Sequence, residues 1–136
     1  MESRVAKTIE NHKKGYNCCQ AVACAYCDLV GVDEETMFKL TEGFGAGMGG
    51  MKSTCGAVSA AVLLTGMKNS TGNLKNPNSK AQTYKLSKQV VDDFEQKNGS
   101  TVCKELKGID TGKILRSCDG CIEDSAKLVE NILFSE

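Results

Sequence analysis

Apolar residues in this chain recur three and four positions apart, and no segment alternates apolar with polar residues in the two-residue period of a half-buried strand. A chain patterned this way hides its apolar surface by packing helices on helices. The expectation is an all-α, single-domain bundle of about five to seven helices over residues 1–136. The one proline, Pro77, falls in a polar stretch and breaks none of them. The clearest stripe is Cys19, Val22, Ala23, Tyr26, Leu29 and Val30, which predicts a helix from about Cys18 to Val30, ended by Gly31. Others are predicted over about Glu2 to Asn11, from an Asp33 cap to Glu42 with Met37 and Leu40 inward, and from Cys55 to about Met67. Three more are predicted: from about Ser79 to Lys97 with Tyr84, Val90, Val91 and Phe94 inward, a short one near Cys103, and a last one from about Cys118 to Phe134. The Cys55 helix is apolar on nearly every side and is expected to be the most buried. Residues 43–50, GFGAGMGG, suit neither a regular helix nor a strand and predict a glycine-rich loop before it.

A chain of 136 residues buries enough apolar surface to fold without covalent staples. Its eight cysteines therefore ask for another explanation. The N-terminal segment MESRVAKTIENHKKG lacks the apolar core of a secretory signal, and the longest nearly apolar run, Ala57 to Leu64, is too short to span a bilayer. These features predict a cytoplasmic protein, where cysteines serve as thiols, metal ligands or reactive groups rather than structural disulfides. Seventeen basic residues balance 17 acidic ones, no basic run occurs, and there is no Trp. Neither nucleic acid nor a membrane surface is an expected partner.

The placement of the cysteines is informative. Asn17 precedes Cys18 and Cys19, Ser53 and Thr54 precede Cys55, Thr101 stands two before Cys103, and Ser117 precedes Cys118. Each is a residue type that caps helices, so each of these cysteines is predicted in a first helical turn. There the unpaired N–H groups and the positive end of the helix dipole favour a thiolate, the form that attacks disulfides and binds metals. Four such settings suggest helix N-termini converging on one thiol-rich site. Two Cys-x-x-Cys pairs occur, Cys24–Cys27 and Cys118–Cys121. The second opens a helix, as a reactive pair would; Cys24, opposite its helix's apolar stripe, reads as structural. The lone His12, between Asn11 and Lys13, reads as a solvated surface residue.

The glycine segment Gly43–Gly50 leading into Thr54-Cys55-Gly56-Ala57, with Cys18 or Cys19, Cys103 and Cys118 around it, resembles the C_GCAxxG_C_C family of redox-active proteins. The resemblance covers nearly the whole chain and implies a small helical redox protein. Ala60 stands where the signature ends in glycine, and Cys24, Cys27 and Cys121 look like additions to it.

Two functions fit these residues. The first is thiol–disulfide exchange or electron transfer, with Cys55 as the central thiolate and Cys18, Cys19, Cys103 and Cys118 as its exchange partners. In it Gly45, Gly47, Gly49, Gly50 and Gly56 let a ligand or partner approach the backbone. The partner is a redox protein or a small thiol or disulfide. The second is a metal protein in which Cys55, Cys103, Cys118 and Cys121 hold zinc or an iron–sulfur cluster. In the first, a capped helix start lowers the Cys55 thiol below its ordinary range.

Overall fold

The computed structural model describes residues 1–135. Among these residues seven helices of regular backbone are formed: α1 (Val5–Lys13), α2 (Cys18–Ala25), α3 (Glu34–Glu42), α4 (Gly56–Asn69), α5 (Lys80–Asn98), α6 (Cys103–Lys107) and α7 (Cys118–Ile132), with one distorted turn at Gly45–Met48. Among the described residues the only β pairing is one antiparallel bridge, Thr54 with Val102. None of their helices is long and apolar enough to cross a membrane.

Side-chain caps fix several helix starts. Asn17 and Gln20 form a reciprocal capping box at α2. The Thr36 N–H donates to Asp33 at α3, and the Gly120 N–H donates to Ser117 at α7. Gly99, at φ 85°, ends α5 in the left-handed conformation that glycine tolerates best.

The most buried helix is α2 rather than α4. Every residue of α2 from Cys19 to Ala25 is buried, because α1, α3, α4 and α7 all pack against it. In α4, Ser59, Val62 and Leu63 stay half-exposed. The predicted second helix also stops early. Arg4 Nη1 donates to the Ala25 carbonyl, Tyr26 Oη donates to Glu130, and the chain tightens into a 3-10 turn over Cys27–Val30. Leu29, Leu40 and Tyr84, all expected inward, are exposed. Met37, Val90 and Phe94 enter the core as expected, beside Val22, Val58, Leu64, Ile122 and Val129.

The glycine segment takes an unusual form. Six consecutive residues, Ala46 to Met51, have positive φ, between 49° and 91°. Left-handed backbone costs L-residues roughly 1–2 kcal/mol each, so Ala46, Met48 and Met51 are held by their surroundings. Met51 N–H donates to Ala46 O and Ser53 N–H to Gly47 O. Across the gap, Cys103 N–H donates to Ser53 O, Lys104 N–H to Met51 O, and Cys55 N–H to Thr101 O. This clamp ties the start of α4 to the start of α6, far apart in sequence.

Candidate thiol site

The clamp, the α2 capping box and the Ser117 cap bring four helix starts together. Cys18, Cys103 and Cys118 are the first residues of α2, α6 and α7, and Cys55 is the N-cap of α4. Cys121 follows Cys118 by one turn. These five cysteines line one cavity of about 150 Å3. Cys18 and Cys118 are half-buried, whereas Cys55, Cys103 and Cys121 are buried. Cys19, the other half of the doublet, has no exposed surface, lies in the core and does not line the cavity.

Glycines make the close approach feasible. A Cβ on Gly56 would stand 2.5 Å from Cys18 Sγ, and one on Gly47 would stand 2.5 Å from Cys103 Cβ. A Cβ on Gly45 would meet the Asn17 side chain at 2.5 Å. Gly49 and Gly50 have open space around them and are exposed, so they shape the turn and lie away from the cavity. None of the five glycines expected to receive a ligand lines the cavity, whose wall at this point is Ala46. Gly120 is a further contributor: a side chain there would stand 2.7 Å from Arg116 Cζ. Its absence lets Arg116 lie across the first turn of α7.

The sulfurs are linked to one another. Cys18 lies against Cys55, and Cys55 against Cys121. The Cys18 thiol is pushed up by its contact with Cys55 and by burial, against the N–H groups of Ala46 and Gly56. The Cys55 thiol is pushed up to about 12 by its contact with Cys121, helped by burial and opposed by the Cys18 thiol and the Ala57 N–H. This overturns the expectation of a low-pKa Cys55. Neither Ser53 nor Thr54 caps α4; Cys55 occupies the cap position itself, without a side-chain cap bond. Burial and neighbouring sulfur outweigh the helix terminus there. Burial likewise raises Cys103, with Lys107 acting against it, and raises Cys19 to about 12.

Three basic side chains that sequence reasoning passed over line the same cavity: His12, Lys107 and Arg116. His12 is no isolated surface residue, since its Nδ1 lies 2.6 Å from Asp119 Oδ1, joining the last turn of α1 to the first turn of α7. Lys107 stands beside the Cys118 sulfur and also faces Cys103 and Cys18. Burial disfavours its charge, but the three sulfurs outweigh burial and raise its pKa. Arg116 donates from Nε and Nη2 to the buried Asp124, which Lys97 and Asn98 also contact. Burial alone would raise the Asp124 carboxyl, yet those hydrogen bonds hold it below its ordinary range. Only Lys107 carried a local signal, standing four residues after Cys103 on the same helix face.

The four sulfurs expected as metal ligands, Cys55, Cys103, Cys118 and Cys121, share the cavity without forming a coordination group. Among the described residues no set of three or more Cys, His, Asp or Glu side chains is arranged to hold a metal ion. Cys55 lies against other thiols, Cys118 faces an ammonium, and Cys103 is packed against Gly47. These contacts do not fit a metal or cluster in this arrangement. The remaining pair lies apart: Cys27 Sγ donates to the Cys24 carbonyl at 3.2 Å, and neither lines the cavity.

No curated protein and no solved structure matches the chain. A family model does, over residues 16–132, a span holding all eight cysteines, and the chain belongs to that family, described as Putative redox-active protein (C_GCAxxG_C_C).

Proposed function

We propose that this chain performs thiol–disulfide exchange, with Cys118 as the attacking sulfur. The observation that carries the reading is the single cavity in which Cys18, Cys55, Cys103, Cys118 and Cys121 meet, with the Lys107 ammonium on Cys118. Cys118 is half-buried, so a substrate reaches it before it reaches the buried thiols. Lys107 places a positive charge next to that sulfur.

The chemistry balances as follows. The Cys118 thiolate attacks one sulfur of a disulfide, whose S–S bond breaks, and the leaving thiolate takes a proton. Cys121, one turn along the same helix, attacks the Cys118 sulfur and releases the second thiol. Two protein thiols have lost two electrons and two protons, and one disulfide has become two thiols. The Cys55 and Cys18 thiols beyond Cys121 then pass the protein disulfide along the cavity by further exchange. The setting proposed is the cytoplasm, where such thiols are kept reduced between turnovers.

The test is disulfide mapping. The reduced protein is treated with excess bis(2-hydroxyethyl) disulfide, remaining thiols are alkylated, and peptides are read by mass spectrometry. Disulfides confined to Cys18, Cys55, Cys103, Cys118 and Cys121 are expected, with Cys19, Cys24 and Cys27 recovered alkylated. Recovery of all eight as alkylated thiols, or a Cys24–Cys27 disulfide alone, overturns the reading.

A further inference from the structure

The cavity's wall carries His12, Lys107 and Arg116 and not one carboxylate, in a chain whose formal charge is zero. Asp119 and Asp124 hold His12 and Arg116 from behind and do not line it. Lys107 has no carboxylate partner among the described residues; its neighbours are the sulfurs of Cys118, Cys103 and Cys18. Backbone donors add to this polarity, since the N–H groups of Ala46 and Gly56 face Cys18 and that of Ala57 faces Cys55. A half-buried ammonium set among thiols and amides favours an incoming negative charge.

The space is also small. At about 30 Å3 for each water-sized group, about 150 Å3 holds roughly five of them. That is the size of one half of a small organic disulfide with its polar group.

From these observations, and resting on the exchange chemistry above, we infer that the substrate is a low-molecular-weight disulfide bearing carboxylates, with Lys107 receiving the carboxylate while Cys118 attacks the sulfur. An exposed thiolate repels an anionic disulfide and reacts with it more slowly than with a neutral one. The cavity reverses that order.

The experiment compares three small disulfides on the reduced full chain: dithiodipropionate (anionic), bis(2-hydroxyethyl) disulfide (neutral) and cystamine (cationic). The rate of Cys118 loss is followed by alkylation and mass spectrometry. Dithiodipropionate is expected to react on the order of tenfold faster than the neutral compound, with cystamine slowest. In Lys107→Met the ratio of anionic to neutral rates should fall to about one or below. The ratio divides out any general change in Cys118 reactivity, so a purely structural role of Lys107 does not move it. Should that variant fail to fold, high salt on the unaltered protein serves instead, lowering the anionic rate and leaving the neutral one in place. If all three disulfides react with a flat or reversed charge order, the substrate assignment fails and the exchange reading survives. If none reacts, both fail.

Discussion

Helix α2 carries cysteines at both ends, and the two ends have opposite electrostatics. At its start, Cys18 meets Cys55, the N–H groups of Ala46 and Gly56, and a cavity walled by three basic side chains. Near its end, Cys24 and Cys27 face the carboxylates of Glu34 and Asp28. Burial, together with Cys27 and Glu34, pushes Cys24 up to about 12; burial, Asp28 and Glu34 push Cys27 up as well. The first region supplies room for a ligand, a half-buried sulfur and Lys107 beside it, whereas at Cys24 burial, Cys27 and Glu34 outweigh the nearby cation, Lys14. Cys-x-x-Cys spacing is shared by Cys24–Cys27 and Cys118–Cys121, so spacing alone does not separate a reactive pair from a packed one. What separates them is the charge delivered by other elements: Glu34 from α3 to one pair, Lys107 from α6 to the other.

The comparison breaks most visibly in alkylation rates. With Cys24 near 12 against about 8.5 for an ordinary thiol, its folded-state alkylation at pH 7.5 should be on the order of a thousandfold slower than in the denatured chain. Cys118 should be the first cysteine modified. Time-resolved alkylation with peptide mapping checks both, and equal rates at Cys24 and Cys118 would erase the distinction.

The next effect is steric. Gly56→Ala places a methyl group against Cys18 Sγ at 2.5 Å, with the Cys19 N and Phe44 O backbone atoms at 3.1 Å. The cost should reach the upper end of overpacking, about 3 kcal/mol. Gly49→Ala meets no neighbour and carries only the left-handed backbone penalty of about 1 kcal/mol. Urea unfolding of the two variants orders them, and equal losses would mean that the close approach at Cys18 is not a packing constraint.

A smaller effect appears at alkaline pH. A thiol whose folded pKa lies above its unfolded value stabilises the fold below the unfolded pKa, and that stability is lost as pH rises toward the folded one. For Cys24 the window runs from about 8.5 to about 12. Within it Cys24→Ala should remove one proton's worth of slope, about 1.4 kcal/mol per pH unit. Denaturant unfolding at several pH values measures this. An unchanged slope would place Cys24 outside the set of buried neutral thiols.

The smallest effect expected is none. Cys24→Ala should leave the rate of exchange with small disulfides unaltered, as stopped-flow thiol release would show. A large loss would make the Cys24–Cys27 pair part of the site.

Much of this protein is legible from the sequence because its signals are local. Helical periodicity, the Asn17, Asp33 and Ser117 caps and the Gly99 stop act within one or two turns, so helix identity follows from neighbours along the chain. First-turn placement of Cys18 and Cys118 is legible for the same reason; Cys103 also opens its helix, but behind Val102, which gives no side-chain cap, rather than behind a Thr101 cap. The protonation of Cys55 is not, because a helix start favours its thiolate while burial and the Cys121 sulfur, contributed by another helix, disfavour it more strongly. His12, Lys107 and Arg116 reach the cavity only through long-range contacts: Asp119 across α1 and α7, the clamp between residues 51–55 and 101–104, and Asp124 beneath Arg116. Local sequence thus determined which segments become helices and where the cysteines sit on them. Tertiary structure alone decided which sulfurs share a cavity and which charges face them, because electrostatics in a buried site depends on distance through space rather than along the chain.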